Sequence, residues 1–156
     1  MNFKQKLVLF LGTGFFCGNI AFAPGTLGSL AGLPFCYFLS YIEQTRAFAG
    51  IILFIILAIW IAQMAEKIIK QKDPGCIVID EMAGIMVTLW GLPFNITTVL
   101  AGFIIFRILD IAKPFPISYV EKKLSGGTGI VADDVVAGVI GNLILRTAFI
   151  AVESFS

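Results

Sequence analysis

The chain reads as an all-α protein, a small integral membrane helical bundle in which several helices are short or re-entrant. Three observations predict this. Of its 156 residues, 58% are hydrophobic and 13% charged, against roughly 45–50% and about 25% in ordinary soluble domains. Such a chain lacks the polar surface to dissolve as a soluble monomer. Second, no charge appears between Leu7 and Ile42, and none between Ala47 and Ala65. Third, Gly and Pro repeatedly cut the apolar runs, so that several pieces are too short to cross a bilayer. The length fits one domain covering residues 1–156.

Each element follows from its local chemistry. Lys4 and Lys6 precede an apolar run that ends at Ala21-Phe22-Ala23, the outline of a signal peptide with a small-residue cleavage site. Pro24 hinders cleavage there, and Gly12, Gly14 and Gly18 break the run, so the segment is expected to be retained. Pro24-Gly25-Thr26-Leu27-Gly28-Ser29 interrupts the next stretch, and Thr26 or Ser29 is placed to cap a helix running to Ile42. The 19 residues from Ala47 to Ala65 come close to the ~20 that a helix needs to span a membrane. Arg46 guards one end, and Lys67, Lys70 and Lys72 mark the other as cytoplasmic. Asp73-Pro74-Gly75 is a turn.

Met82 to Phe106 is again uncharged, but Gly91-Leu92-Pro93-Phe94-Asn95 divides it into halves too short to span. Folded back as an embedded hairpin, it brings Asp80-Glu81 and Asp110 to one side of the membrane. Pro114 to Leu124 reads as a short interfacial segment. Val135 to Val152 is a final helix, with Arg146 snorkelling or turned towards other helices. Four to six helical segments are expected in total.

The net charge of +1 supplies no basic field for nucleic acid. Cys17, Cys36 and Cys76 are far apart and form no CxxC pattern, so they serve as small apolar filler rather than as a disulfide or zinc framework. Histidine is absent, which excludes His-dependent phosphatases and Ser-His-Asp triads. A cysteine phosphatase is excluded too, because Met82 stands where the arginine should follow Cys76.

Five of the ten carboxylates fall in three places beside apolar runs: Asp80-Glu81, Asp110 and Asp133-Asp134, with Asp73 upstream carrying less weight. Carboxylates are costly at a membrane boundary unless they have a task. Their oxygens suit a hard cation such as Mg²⁺. Arg107, Asp110 and Lys113 recur every three residues along one side of a helix. They form either a salt-bridge ladder or a phosphate grip, and both can hold together. Gly126-Gly127-Thr128-Gly129 is read as a loop entering a helix with Asp133 and Asp134 near its start, where backbone N–H groups can meet a phosphate. The chemistry that remains is metal-assisted attack on a phosphate, by water or by a carboxylate.

Three segments resemble the phosphatidylglycerophosphatase A family. They are Ala23-Pro-Gly-Thr-Leu-Gly-Ser-Leu-Ala31, then Ile79-Asp-Glu-Met-Ala-Gly84, and finally Phe106-Arg-Ile-Leu-Asp-Ile-Ala-Lys-Pro-Phe-Pro-Ile117 continuing into Gly126 to Asp134 and Ala137-Gly138. The resemblance runs over nearly the whole chain. It implies a Mg²⁺-dependent enzyme of the bacterial cytoplasmic membrane, multi-pass, with its site facing the cytoplasm, that converts phosphatidylglycerophosphate to phosphatidylglycerol and phosphate. Asp80, Glu81, Asp133 and Asp134 are then expected to hold Mg²⁺, with Asp110 as a further ligand or base. Arg107, Lys113, Thr26, Gly28, Ser29, Gly126, Gly127 and Gly129 are expected around the phosphate. The alternative is a small transporter that uses the same carboxylates as an ion path.

Overall fold

The computed structural model describes residues 1–154, the side chain of Glu153 excepted. Among them are seven α-helices and no strand: α1 (Phe3–Gly12), α2 (Pro24–Ser40), α3 (Gln44–Ile69), α4 (Ile79–Leu89), α5 (Ile96–Ala112), α6 (Ile117–Lys123) and α7 (Gly126–Ser154), with a single 3₁₀ turn at Cys17–Asn19. This exceeds the four to six segments expected, because the glycine-rich N-terminal region and the Pro114–Leu124 segment each carry a helix of their own.

Local signals explain the boundaries. At α1, Asn2 accepts from the Gln5 amide at 2.9 Å while its own amide donates to Gln5 Oε1 at 2.9 Å, a reciprocal cap. Pro24 occupies the first turn of α2, where its missing N–H costs nothing. Asn95 caps α5 by accepting from the Thr98 amide at 3.0 Å.

Helix α4 is the centre of the bundle. It has 11 residues, a length of about 16 Å that cannot cross the ~30 Å hydrocarbon core. Eight of them are buried, from Ile79 through Leu89, because α2, α3, α5 and α7 all pack around it. The contact with α7 is the most extensive and depends on small residues. A Cβ at Gly138 would lie 2.5 Å from the Gly84 carbonyl oxygen and 3.0 Å from Val87 Cβ, so neither helix could approach as closely with a side chain there.

The hairpin reading holds. α4 and α5 pack on each other, the Leu89 end lies against Gly102, and the Asp80-Glu81 end meets Arg107, whose Nη1 is 4.0 Å from Glu81 Oε1. The other end of α4 is closed by α7. Asn142 Nδ2 donates to the carbonyls of Thr88 and Trp90, both at 2.9 Å, and Arg146 Nη2 donates to Trp90 O at 3.0 Å. Arg146 therefore turns inward and supplies donors that the last turn of α4 lacks.

Two helices are long and apolar enough to cross a membrane: α3, with mean hydropathy 2.5, and α7 from Gly126 to Val152, with mean hydropathy 2.0. Only 28% of each apolar stretch is buried in the protein. The rest faces outward through side chains such as Ile52, Leu53, Ile56, Trp60 and Leu143, as expected where lipid is the surrounding solvent. The final helix begins at Gly126 rather than Val135. The glycine run is its first turn, not a loop, and Asp133 and Asp134 lie deeper in the helix than expected.

Gly138→Ala is expected to lower stability by about 1–3 kcal/mol, the usual cost of overpacking a tight contact. Thermal unfolding in detergent, compared with the parent protein, checks this.

Candidate active site

The buried end of α4 presents Asp80 and Glu81 in its first turn, where the helix dipole favours carboxylates. Asp134 reaches them from α7, and one ligand oxygen from each of the three residues lies within 4.8 Å of the others. From α5, Arg107 Nη1 donates to Asp110 Oδ2 at 2.5 Å. Lys113, in a left-handed backbone conformation after α5 (φ 43°), donates to Asp133 Oδ2 and to Glu121 Oε1, each at 2.7 Å. Together these groups line a cavity of about 460 Å³, with Glu66, Lys72 and Asp73 at its margin.

The chain does not satisfy its own polar atoms here. Asp80 Oδ1, Glu81 Oε2, Asp133 Oδ1, Asp134 Oδ2 and Arg107 Nε are buried and have no hydrogen-bond partner. Buried polar atoms are nearly always paired, since an orphaned group costs on the order of 1–3 kcal/mol and a charged one more. Four orphaned carboxylate oxygens on one side and an orphaned guanidinium N–H beside them fit a cation and an anion from outside the chain. The donors are all oxygens, the set that a hard divalent ion selects.

The electrostatics agree. Burial, reinforced by the charges of Glu81 and Asp134, pushes the Asp80 carboxyl well above its ordinary range, and burial raises Glu81 as well. Both lie outside the two spanning helices. Partial burial alone would lower the Lys113 ammonium, but its hydrogen bonds to Asp133 and Glu121 outweigh that and hold it above the usual lysine range. Lys113 stays charged.

The predicted residues do not all meet. Asp80, Glu81, Arg107, Asp110, Lys113, Gly126, Gly129, Asp133 and Asp134 line the cavity. Asp133 stands outside the group of three that could share an ion and pairs instead with Lys113. Gly28, Ser29 and Gly127 do not line the cavity, and each has a packing role. A Cβ at Gly28 would lie 2.6 Å from Val78 Cβ, and the fully buried Ser29 hydroxyl donates to Gly25 O at 2.9 Å. The Gly127 amide, a donor expected for phosphate, is taken by Gln63 Oε1 at 2.9 Å. Thr26 faces a separate apolar groove.

Sequence reasoning missed Gly25 and Glu121. A Cβ at Gly25 would run into Glu81 Oε1 and come within 2.8 Å of Arg107 Nη2. Only a glycine lets the start of α2 lie on that ion pair, and the Pro24-Gly25 break was the signal for it. Glu121 is legible only as one charge among several on α6.

The fold and this cavity define a small helical membrane enzyme whose acidic and basic groups converge at one end of the bundle. Residues 10–149 match the family described as Phosphatidylglycerophosphatase A, and the chain belongs to that family of phosphatases. The chain is 41% identical over 136 residues to the phosphatidylglycerophosphatase A of Escherichia coli (strain K12), covering 86% of this chain and 79% of that protein. It is 36% identical over 137 residues to the protein of the same name from Haemophilus influenzae, covering 86% and 84%. A Bacteroides thetaiotaomicron protein, provisionally named a phosphatidylinositol-3-phosphatase, is 35% identical over 156 residues, covering 95% and 97%. No solved structure matches the chain. Membership of a phosphatase family displaces the transporter alternative.

In the presence of chelator, Asp134→Asn is expected to be more stable than the parent by about 1–3 kcal/mol, because it removes one of three mutually repelling buried carboxylates. Gly25→Ala is expected to cut phosphate release about tenfold by displacing Arg107 and Glu81, with little loss of folded protein. Calorimetry and initial rates check the pair.

Proposed function

We propose that the protein removes the terminal phosphate of phosphatidylglycerophosphate with the help of Mg²⁺ held by Asp80, Glu81 and Asp134. The observation that carries this reading is the convergence of their unpartnered oxygens beside the unpartnered Arg107 Nε. Bound there, Mg²⁺ supplies the positive charge that draws phosphate oxygens in and offsets the charge of the transition state.

The chain's own groups do the rest. Arg107, fixed by Asp110 through Nη1, directs its free Nε at a phosphate oxygen. Lys113 adds a permanent positive charge on the α6 side. Asp133 has Oδ2 held by Lys113 and Oδ1 free, so it is the group placed to take the proton of the attacking water. The water oxygen bonds to phosphorus and the ester bond breaks. The departing alcohol oxygen takes a proton from solvent at the cavity mouth.

Charge distribution supports an orientation in the bacterial cytoplasmic membrane. Lys67, Lys70 and Lys72 at the end of α3, with Lys122 and Lys123 on α6, gather at the site end, which favours the cytoplasmic face. Phe22 and Phe115, 85% and 81% exposed, flank the same end at the start of α2 and after α5, where lipid head groups meet acyl chains.

Purified protein in detergent is expected to release phosphate from phosphatidylglycerophosphate with Mg²⁺ and to stop with chelator. Asp80→Asn should lower turnover by about 10²–10³-fold. Mg²⁺ should also raise the unfolding temperature of the parent, and the shift should vanish in Asp134→Asn. No release from folded, Mg²⁺-supplied protein would overturn the reading. Preference for phosphatidylinositol 3-phosphate, the substrate class in the Bacteroides relative's name, would redirect it.

A further inference from the structure

Helices α2 and α5 both pack on α4 but make little contact with each other. The gap is an apolar groove of about 430 Å³, walled on the α5 side by Phe103, Ile104, Ile108 and Ile111, with Thr26 opposite. Ile104, Ile108 and Ile111 recur at helical spacing and form a stripe roughly 10 Å long. They are 55%, 59% and 72% exposed, so the groove opens sideways, towards the lipid around the bundle, rather than towards water.

One residue joins this groove to the catalytic cavity. Arg107 lines both, and its buried Nε is unpartnered. The Thr26 hydroxyl, at the polar end of the groove, has no hydrogen bond among the described residues. The composite surface is therefore amphiphilic: the apolar face of α5 runs past Arg107, which falls between Ile104 and Ile108, and Arg107 joins that face sideways to the carboxylates of the cavity. A phospholipid likewise joins an apolar chain to a charged head group.

Resting on the phosphatase reading above, we propose that this α2–α5 groove is the lateral port of the enzyme, holding one acyl arm of the lipid while the head group passes Arg107 into the cavity. The lipid then never leaves the bilayer to react, and its chains need not be transferred to water. Arg107 marks the junction, and the isoleucine stripe selects for a substrate with a chain.

The test compares kcat/KM for diacyl phosphatidylglycerophosphate with that for its water-soluble deacylated head group. Ile108→Trp, which fills the groove from an exposed position, is expected to lower the diacyl-to-deacylated ratio at least about tenfold. Leu143→Trp, on the outward face of α7, should keep the parent ratio. Ile104→Trp serves as the second variant if Ile108→Trp is poorly folded. A phospholipid bearing a mid-chain diazirine should label the Phe103–Ile111 face of α5 in the parent protein and lose that label in Ile108→Trp. An unchanged ratio, an equal loss on both substrates, or labels spread over α3 and α7 would overturn the port. So would a covalent link between two copies of the chain in place of lipid at the stripe. If the parent releases phosphate from neither substrate, the phosphatase reading fails and takes the port with it. Release from both with no effect of groove filling overturns the port alone.

Discussion

Close contact between α4 and α7 is the constraint on which the rest of the structure depends. Gly84 and Gly138 let the two backbones meet, with Gly138 directly over the Gly84 carbonyl. Because side chains cannot intervene there, Asp134 of α7 comes within reach of Asp80 and Glu81 of α4. The same contact fixes the depth of α4, whose last carbonyls are held by Asn142 and Arg146. A helix too short to span is thus secured at both ends by one long partner. Its apolar length is buried by protein rather than by lipid, which leaves the lipid-facing surface to its neighbours, α3, α5 and α7 among them.

What this geometry assembles is unfavourable on its own terms. Carboxylates packed together repel one another, and desolvation adds several kcal/mol per ion. The basic residues answer only part of that charge. Arg107 is committed to Asp110 and Lys113 to Asp133 and Glu121, which leaves Asp80, Glu81 and Asp134 facing one another. Such an arrangement persists only if the surrounding packing over-determines it, and it is a common signature of a site built for something that arrives from outside. Here packing and function draw on the same glycines: Gly25, Gly84 and Gly138 each permit an approach that a methyl group would block.

The membrane shapes the site as much as the charges do. The reactive groups gather at one end of the bundle, beside the exposed aromatics Phe22 and Phe115 and a concentration of lysines. The opposite end carries Tyr37, Tyr41, Phe48, Trp90 and Phe94 in ring contacts. Aromatic residues at both levels fit a protein anchored at two interfaces. Between them, the outward isoleucines and leucines are unremarkable in lipid. The α5 stripe differs in lying alongside Arg107, which also lines the cavity.

The all-helical class, the spanning α3 and the α4–α5 hairpin were legible in the sequence because they rest on local properties: hydrophobic runs, breakers such as Gly91 and Pro93, and caps such as Asn95. So were most of the acidic and basic residues that line the cavity, Glu121 excepted, since charge is conspicuous in so apolar a chain. Partnerships were not legible. Asp133 and Asp134 are adjacent in sequence, yet successive helical residues point in different directions, so one meets Lys113 and the other meets α4. The glycines of Gly126 to Gly129 suit a phosphate loop as well as a tight helix crossing, and the position of Gln63 and Ile59 on α3 commits the Gly127 amide to packing while Gly126 and Gly129 line the cavity. Gly25 gained its importance from Glu81 and Arg107, which lie far along the chain. The sequence alone determined which chemical groups were present and how each segment would fold. Which groups face one another depends on helix depth and rotation, quantities set by long-range packing that no local pattern encodes.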